Sequence, residues 1–165
     1  GEVLYRPYNS KFALGLVAHK VKQRAFDQRF SFRDYETETG HLELYYDFPD
    51  GVTSQVLIGK YLAGDKGLTL DFSKRFKTGF RLGVFATKTN ISAQEFGEGS
   101  FDKGFYFQIP TDIFLSNYST GSIAYGLHPL TKDGGATLFH HNSLWSLLGN
   151  TEYNGMFRDW DDIVD

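Results

Sequence analysis

Apolar side chains recur at every second position through most of this chain, and that period belongs to an extended backbone, not to a helix. In "KFALGLVAHKV", Phe12, Leu14, Leu16 and Ala18 share one face. "HLELYYDF" sets Leu42, Leu44, Tyr46 and Phe48 against His41, Glu43 and Asp47. "GLTLDFSKRF" sets Leu68, Leu70 and Phe72 against Thr69, Asp71 and Ser73. "FRLGVFATK" sets Phe80, Leu82, Val84 and Ala86 against Arg81, Gly83, Phe85 and Thr87. "GFYFQIPTD" sets Phe105, Phe107 and Ile109 against Tyr106 and Gln108, and "GSIAYGLH" aligns Ile123, Tyr125 and Leu127. "SQVLIGKYLA" is apolar on both sides. Helical periodicity is weak before Leu138, and "LFHHNSLWSLLGN" suits either a short helix or a last strand.

Turn chemistry separates these segments. "FPDGVT" and "FKTGF" are tight, "AGDKG" is short and polar, and 24–40 and 89–103 are longer. Seven or eight consecutive antiparallel strands, an up-and-down meander, are therefore expected. In a meander alternate connections lie at the same end. The longer, charged connections 24–40, 63–67, 89–103 and 128–135 then share one rim, and the short ones, 49–53, 76–79 and about 112–118, share the other. Short turns at one end and longer loops at the other are an outer-membrane barrel's asymmetry. A 165-residue chain implies one domain.

Composition points the same way. Aromatic residues make up 17% of the chain and glycine is abundant at 18, yet mean hydropathy is only −0.35. A β-barrel with a polar interior combines these properties. Net charge is −3 and no basic run exists, so nucleic acid is not an expected partner. The absence of cysteine removes disulfides, thiol nucleophiles and thiolate metal sites. No apolar run is long enough for a transmembrane helix. Gly1 opens on ordinary sequence, so a signal peptide, if the protein is exported, is expected upstream.

The fold expected is all-β: a transmembrane β-barrel, or part of a larger one, over 1–150, with an acidic C-terminal tail over 151–165. In a barrel the apolar face meets lipid and the polar face lines a lumen; in a soluble sandwich the apolar face points inward. Arg81 on a lipid face would cost roughly 2–4 kcal/mol near the midplane, so a lumen position suits it, with Thr69, Asp71 and Gln108 beside it. Tyr46, Phe48, Tyr61, Phe76 and Phe80 are candidates for aromatic girdles. Asp65, Glu98, Asp102 and Asp133 fall in connections of one rim, with Lys103 beside them to pair with Glu98 or Asp133. That rim could bind a sugar hydroxyl, a divalent cation or a partner; it could equally be turns held by glycines and carboxylates. His140–His141 lacks a third ligand, and neighbours on a strand point to opposite faces. No catalytic residue, metal or cofactor is expected.

"GEVLYRP", "RDYETETGHLELYYDFP", "GKYLAGDKG", "TNISAQEFGEGSFDKGFYFQIP" and "PLTKDGGA" together resemble the YjbH/GfcD-like family of bacterial outer-membrane lipoproteins. The resemblance runs from Gly1 to about Leu148, and this chain is similar to the C-terminal portion of much longer family members. It implies an upstream signal peptide and lipid-bearing cysteine, an outer-membrane location, and a non-enzymatic role in exopolysaccharide or capsule export. The implied partners are extracellular polysaccharide, other export proteins and outer-membrane lipid. Two alternatives stand beside export through a barrel. One is a passive barrel scaffold for other export proteins. The other is a soluble periplasmic β-sandwich that binds glycan.

Overall fold

A computed structural model describes residues 1–24, 32–91, 101–114, 121–128, 134–138 and 143–151. Eight strands run in chain order: β1 (Glu2–Tyr5), β2 (Phe12–Arg24), β3 (Phe32–Asp47), β4 (Val52–Lys60), β5 (Lys66–Arg75), β6 (Arg81–Thr89), β7 (Asp102–Pro110) and β8 (Ser122–Leu127). Each pairs antiparallel with the next, in the order β1-β2-β3-β4-β5-β6-β7-β8. Helix α1 (Leu144–Thr151) follows the last strand.

The meander is as the alternation implies, but the barrel is not. Among the described residues β1 pairs only with β2, and β8 only with β7. The sheet is open, with two edges. Closure requires the first and last strands to pair, a non-local property that a period-two pattern does not encode. The edge strands are also short, four residues in β1 and six in β8, against sixteen in β3. An open edge leaves backbone donors and acceptors without ladder partners, which hydrocarbon does not tolerate. The expectation of a transmembrane barrel, and of a lumen lined by its polar face, is therefore overturned.

Two element boundaries also differ from the sequence reading, and one open alternative is resolved. "EVLY" is a strand too short to display a pattern by itself; it is held by pairing with Leu14–Val17. Residues 32–40, read as loop, extend β3. They lack apolar alternation because their partners are charged: Lys20 lies opposite Glu38 and Lys22 opposite Glu36, and Lys20 Nζ reaches Glu36 Oε1 at 2.6 Å. The last element is the helix, not a strand.

Between β3 and β4, Asp50 and Gly51 both adopt positive φ, 62° and 74°. Gly tolerates that region freely and Asp more readily than most residues, so "DG" serves a tight reversal. In mid-sheet, Gly83 of β6 faces Tyr106 of β7, and one step along Phe85 faces Gly104. A Cβ at Gly83 would collide with the Tyr106 ring, and one at Gly104 with the Leu127 carbonyl oxygen first and the Phe85 ring second.

Burial is inverted relative to an ordinary soluble domain. The polar face is the covered one: Thr37, Thr39, His41, Glu43, Thr69, Ser73 and Thr87 are all buried. Buried apolar residues are few, Ala13, Val17, Tyr45 and Tyr61. The apolar face is open from edge to edge, with Leu16, Leu42, Ile58, Phe72, Val84 and Phe105, one from each of β2 to β7, between 39% and 59% exposed. The aromatic expectation divides along the same line. Tyr46, Phe48, Phe76 and Phe80 lie at the short-turn end, where ring contacts run Tyr46–Phe48, Phe76–Phe80, Phe80–Phe107 and Phe107–Tyr125. Tyr61 lies at the opposite end, buried, against His41.

Candidate functional site

Cross-strand register builds the polar face as a chain of hydrogen-bonded side chains. Tyr106 of β7 pairs with Gly83 of β6, which pairs in turn with Ser73 of β5, and Asp71 lies one same-face step along β5 from Ser73. The gap lets the Tyr106 ring lie flat across β6, and its Oη donates to Asp71 Oδ1 at 3.0 Å. Arg81 reaches back to β5 and donates to Ser73 Oγ from Nε at 3.2 Å and from Nη2 at 2.9 Å. Its guanidinium carbon lies 5.8 Å from the Tyr106 ring centroid. Gln108 Nε2 donates to Ser122 Oγ at 2.7 Å, linking β7 to β8. Thr69, Asp71, Arg81 and Gln108 therefore share the face the sequence reading gave them, but that face lines no lumen.

The electrostatics follow from this crowding. Burial raises the Asp71 pKa above the usual carboxylate range, although the Tyr106 hydroxyl and Arg81 both oppose it. Burial raises Tyr106 to about 12, with Arg81 pulling down and Asp71 pushing up. Burial therefore disfavours the charged form of both groups, and Arg81 beside them opposes that in each case.

A second group lies nearer the short-turn end. Tyr45 of β3 is fully covered; its Oη donates to Glu43 Oε2 at 2.5 Å and accepts from Gln55 Nε2 at 3.1 Å. Trp145 of α1 stacks on the Tyr45 ring at 4.3 Å, and Arg6 caps the indole at 5.2 Å. Helix α1 thus shields part of the polar face, and its first turn is tied down where Leu144 N–H donates to Glu2 Oε1 at 3.0 Å.

At the loop end the rim is partly as expected. Asp65 and Asp102 lie at this end of the polar face; Glu98 and Asp133 fall outside the described residues, as do His140 and His141. Asp65 Oδ2 accepts from Gly135 N–H at 2.8 Å, and Leu62 N–H donates to Ala136 O at 2.9 Å. The connections containing Asp65 and Gly135 therefore meet, as the parity of the meander requires. Tyr61 Oη, Thr69 Oγ1 and Thr87 Oγ1 form a buried chain with links of 2.6 and 2.7 Å. Asp102 lies opposite Thr87. Burial raises its pKa, while His128, 3.9 Å away, works against that shift. Lys103 points to the other face and places its Nζ 4.6 Å from the Phe101 ring. His41 faces Tyr61 edge-on at 4.8 Å. Burial first and the nearby His19 second lower its pKa.

Four buried polar atoms in this cluster have no hydrogen-bond partner among the described residues: His41 Nε2, Asp65 Oδ1, Thr89 Oγ1 and Asp102 Oδ1. Buried polar groups are normally satisfied, so unpaired ones gathered at one place need a cause. No group of three or more His, Cys, Asp or Glu side chains among the described residues is placed to hold a metal ion. A separate groove of about 480 Å³ opens beside Gln23, Phe32, Arg33, Asp34 and Tyr35, on the extension of β2 and β3.

Tyr106, Ser73, His41, Tyr61 and Thr87 escaped the sequence reading as site residues. Alternation already assigns Tyr106, Ser73 and Thr87 to the polar face; which of them meet depends on register.

Comparison with known proteins agrees with the strings quoted above. The profile of the YjbH family, described as "Exopolysaccharide biosynthesis protein YbjH", matches residues 1–150. The chain is 43% identical over 158 residues to the Escherichia coli (strain K12) protein named "Uncharacterized lipoprotein YjbH". That alignment covers 93% of this chain and 23% of the relative, so the chain spans under a quarter of the relative's length. No solved structure matches the chain. The chain belongs to the YjbH family.

Proposed function

We propose that this member of the YjbH family serves exopolysaccharide biosynthesis at the bacterial outer membrane as a glycan-binding sheet, without catalysis. The family description names exopolysaccharide biosynthesis, and the relative's name makes that protein a lipoprotein. The supporting observation is that the built side of the sheet is its polar side. Asp71, Tyr106, Arg81 and Ser73 are fixed against one another by cross-strand hydrogen bonds, and Gln108 continues the row. A sugar presents alternating hydroxyls and C–H faces. Tyr106 and Phe85 offer rings for the latter; Asp71, Arg81 and Gln108 offer donors and acceptors for the former. The unpaired atoms of His41, Asp65, Thr89 and Asp102 at the loop end favour a hydroxyl-rich ligand over an apolar one.

A scaffold role for other export proteins is the second reading, and the two open sheet edges support it, because an unpaired strand is a template for another.

The test is carbohydrate analysis of the full-length protein purified from polymer-producing cells. Retained polymer, reduced several-fold by Arg81→Lys and Gln108→Ala in protein with unchanged circular dichroism, is the expected result. Folded wild-type protein free of carbohydrate would shift the function to the scaffold.

A further inference from the structure

The apolar face is the largest unexplained surface of the molecule. A soluble monomer's largest apolar patch covers a few hundred Å², and larger ones mark interaction sites. Here the face extends across eight strands. Its loop-end margin carries a line of lysines. Lys60 of β4 and Lys66 of β5 are direct cross-strand partners. Lys88 on β6 lies opposite Leu68, one same-face step from Lys66. Lys103 on β7 lies opposite Ala86, one same-face step from Lys88. The line thus runs diagonally over four strands, with neighbours within reach of one another.

Like charges set opposite each other destabilise a sheet. None of the four lysines has an ion-pair partner among the described residues. An anionic surface laid against the line relieves that repulsion. The opposite margin of the same face is the aromatic row ending at Phe107 and Tyr125. Apolar centre, lysine border and aromatic border are the chemistry of acyl chains beneath headgroups.

We infer that the apolar face docks on an anionic lipid surface, with Lys60, Lys66, Lys88 and Lys103 against its phosphates. This shares the membrane location proposed above but is independent of glycan. The apolar centre sinks into the acyl boundary while the lysine stems lie along it, their ammonium groups at phosphate level. A lysine beside an anionic membrane surface is worth about five-fold in partitioning, so loss of three predicts about a hundred-fold.

The experiment is flotation of the full-length protein, purified free of any acyl chain, with two vesicle types. One is phosphatidylcholine alone; the other is equimolar phosphatidylcholine and phosphatidylglycerol. Flotation with the anionic vesicles alone is expected, weakened by salt. It should fall about a hundred-fold in Lys66→Gln/Lys88→Gln/Lys103→Gln and be retained in Lys11→Gln/Lys77→Gln, from the other end of the sheet. Equal flotation with both vesicles, equal loss in the two variants, or no flotation at all overturns the inference. So does a vesicle-free dimer that excludes lipid, since a second copy then covers the face. Because carbohydrate plays no part, failure here leaves the glycan reading standing, and a glycan-free protein leaves this one standing.

Discussion

At the residue scale burial disfavours the charged forms of several groups on the polar face. His41 is the clearest case. Its ring is covered, it faces Tyr61, and the other titratable groups near it are His19 and Asp65. Burial and His19 hold its pKa below the ordinary 6.5, and Asp65 only partly offsets them. Below 6.5 the unfolded chain binds a proton at this histidine more readily than the folded one does. Stability from neutral His41 is thus complete above 6.5 and is lost as pH falls from there through the lowered folded value. Urea midpoints measured downward from neutral pH should fall more steeply in wild type than in His41→Gln. Parallel curves would mean that His41 takes up its proton as readily in the folded state as in the unfolded one. Asp71 and Asp102 have raised values and act in the opposite sense. Each destabilises as pH rises from the unfolded carboxylate pKa through its folded one. The acid limb therefore reports a difference between histidine and carboxylate contributions, and the substitution isolates the first.

At the scale of elements, the strands and the helix owe their stability to different things. Each of β2 to β7 is laddered on both sides, and glycine–ring pairs such as Gly83–Tyr106 fix register locally. Helix α1 has eight residues, below the length at which an isolated helix persists in water. It depends on docking: Trp145 on Tyr45, Arg6 over Trp145, and Glu2 at its first turn. The stack is worth ~0.5–1.5 kcal/mol and the cation–π contact ~0.5–1 kcal/mol. Trp145→Ala should release the helix at a cost of roughly 2 kcal/mol, leaving the sheet intact. Hydrogen exchange would then accelerate in 144–151 and stay unchanged in β3 to β6. A global loss of protection would instead make α1 part of the sheet's cooperative unit.

At the scale of the whole molecule the open sheet sets the order of protection. Edge strands β1 and β8 have one ladder each, and β8 is exposed along its whole length. Their amides should exchange first, with β3 to β6 last. A closed barrel would protect β1 and β8 as well as the centre, so equal protection would contradict the open topology. The two faces then divide the work: the polar side holds the proposed glycan site and the apolar side the proposed lipid contact. The lysine line exists only at this scale, because its four members come from four strands and meet through register.

Period-two alternation and turn chemistry alone determined the meander, its rim parity, and which residues share a face with Arg81 and Asp71. Both are local, since a side chain's face follows from its position in the strand. The quoted strings alone carried the family. Only the tertiary structure decided that the sheet stays open, because edge pairing joins residues more than a hundred positions apart. It also decided that 32–40 is strand, since cross-strand charge pairing with β2 replaces the missing alternation. Above all it decided which face is covered. Alternation is symmetric between a buried apolar side and a buried polar side. Rings and guanidinium groups reaching across glycines, with α1 laid on Tyr45, break that symmetry in favour of the polar one.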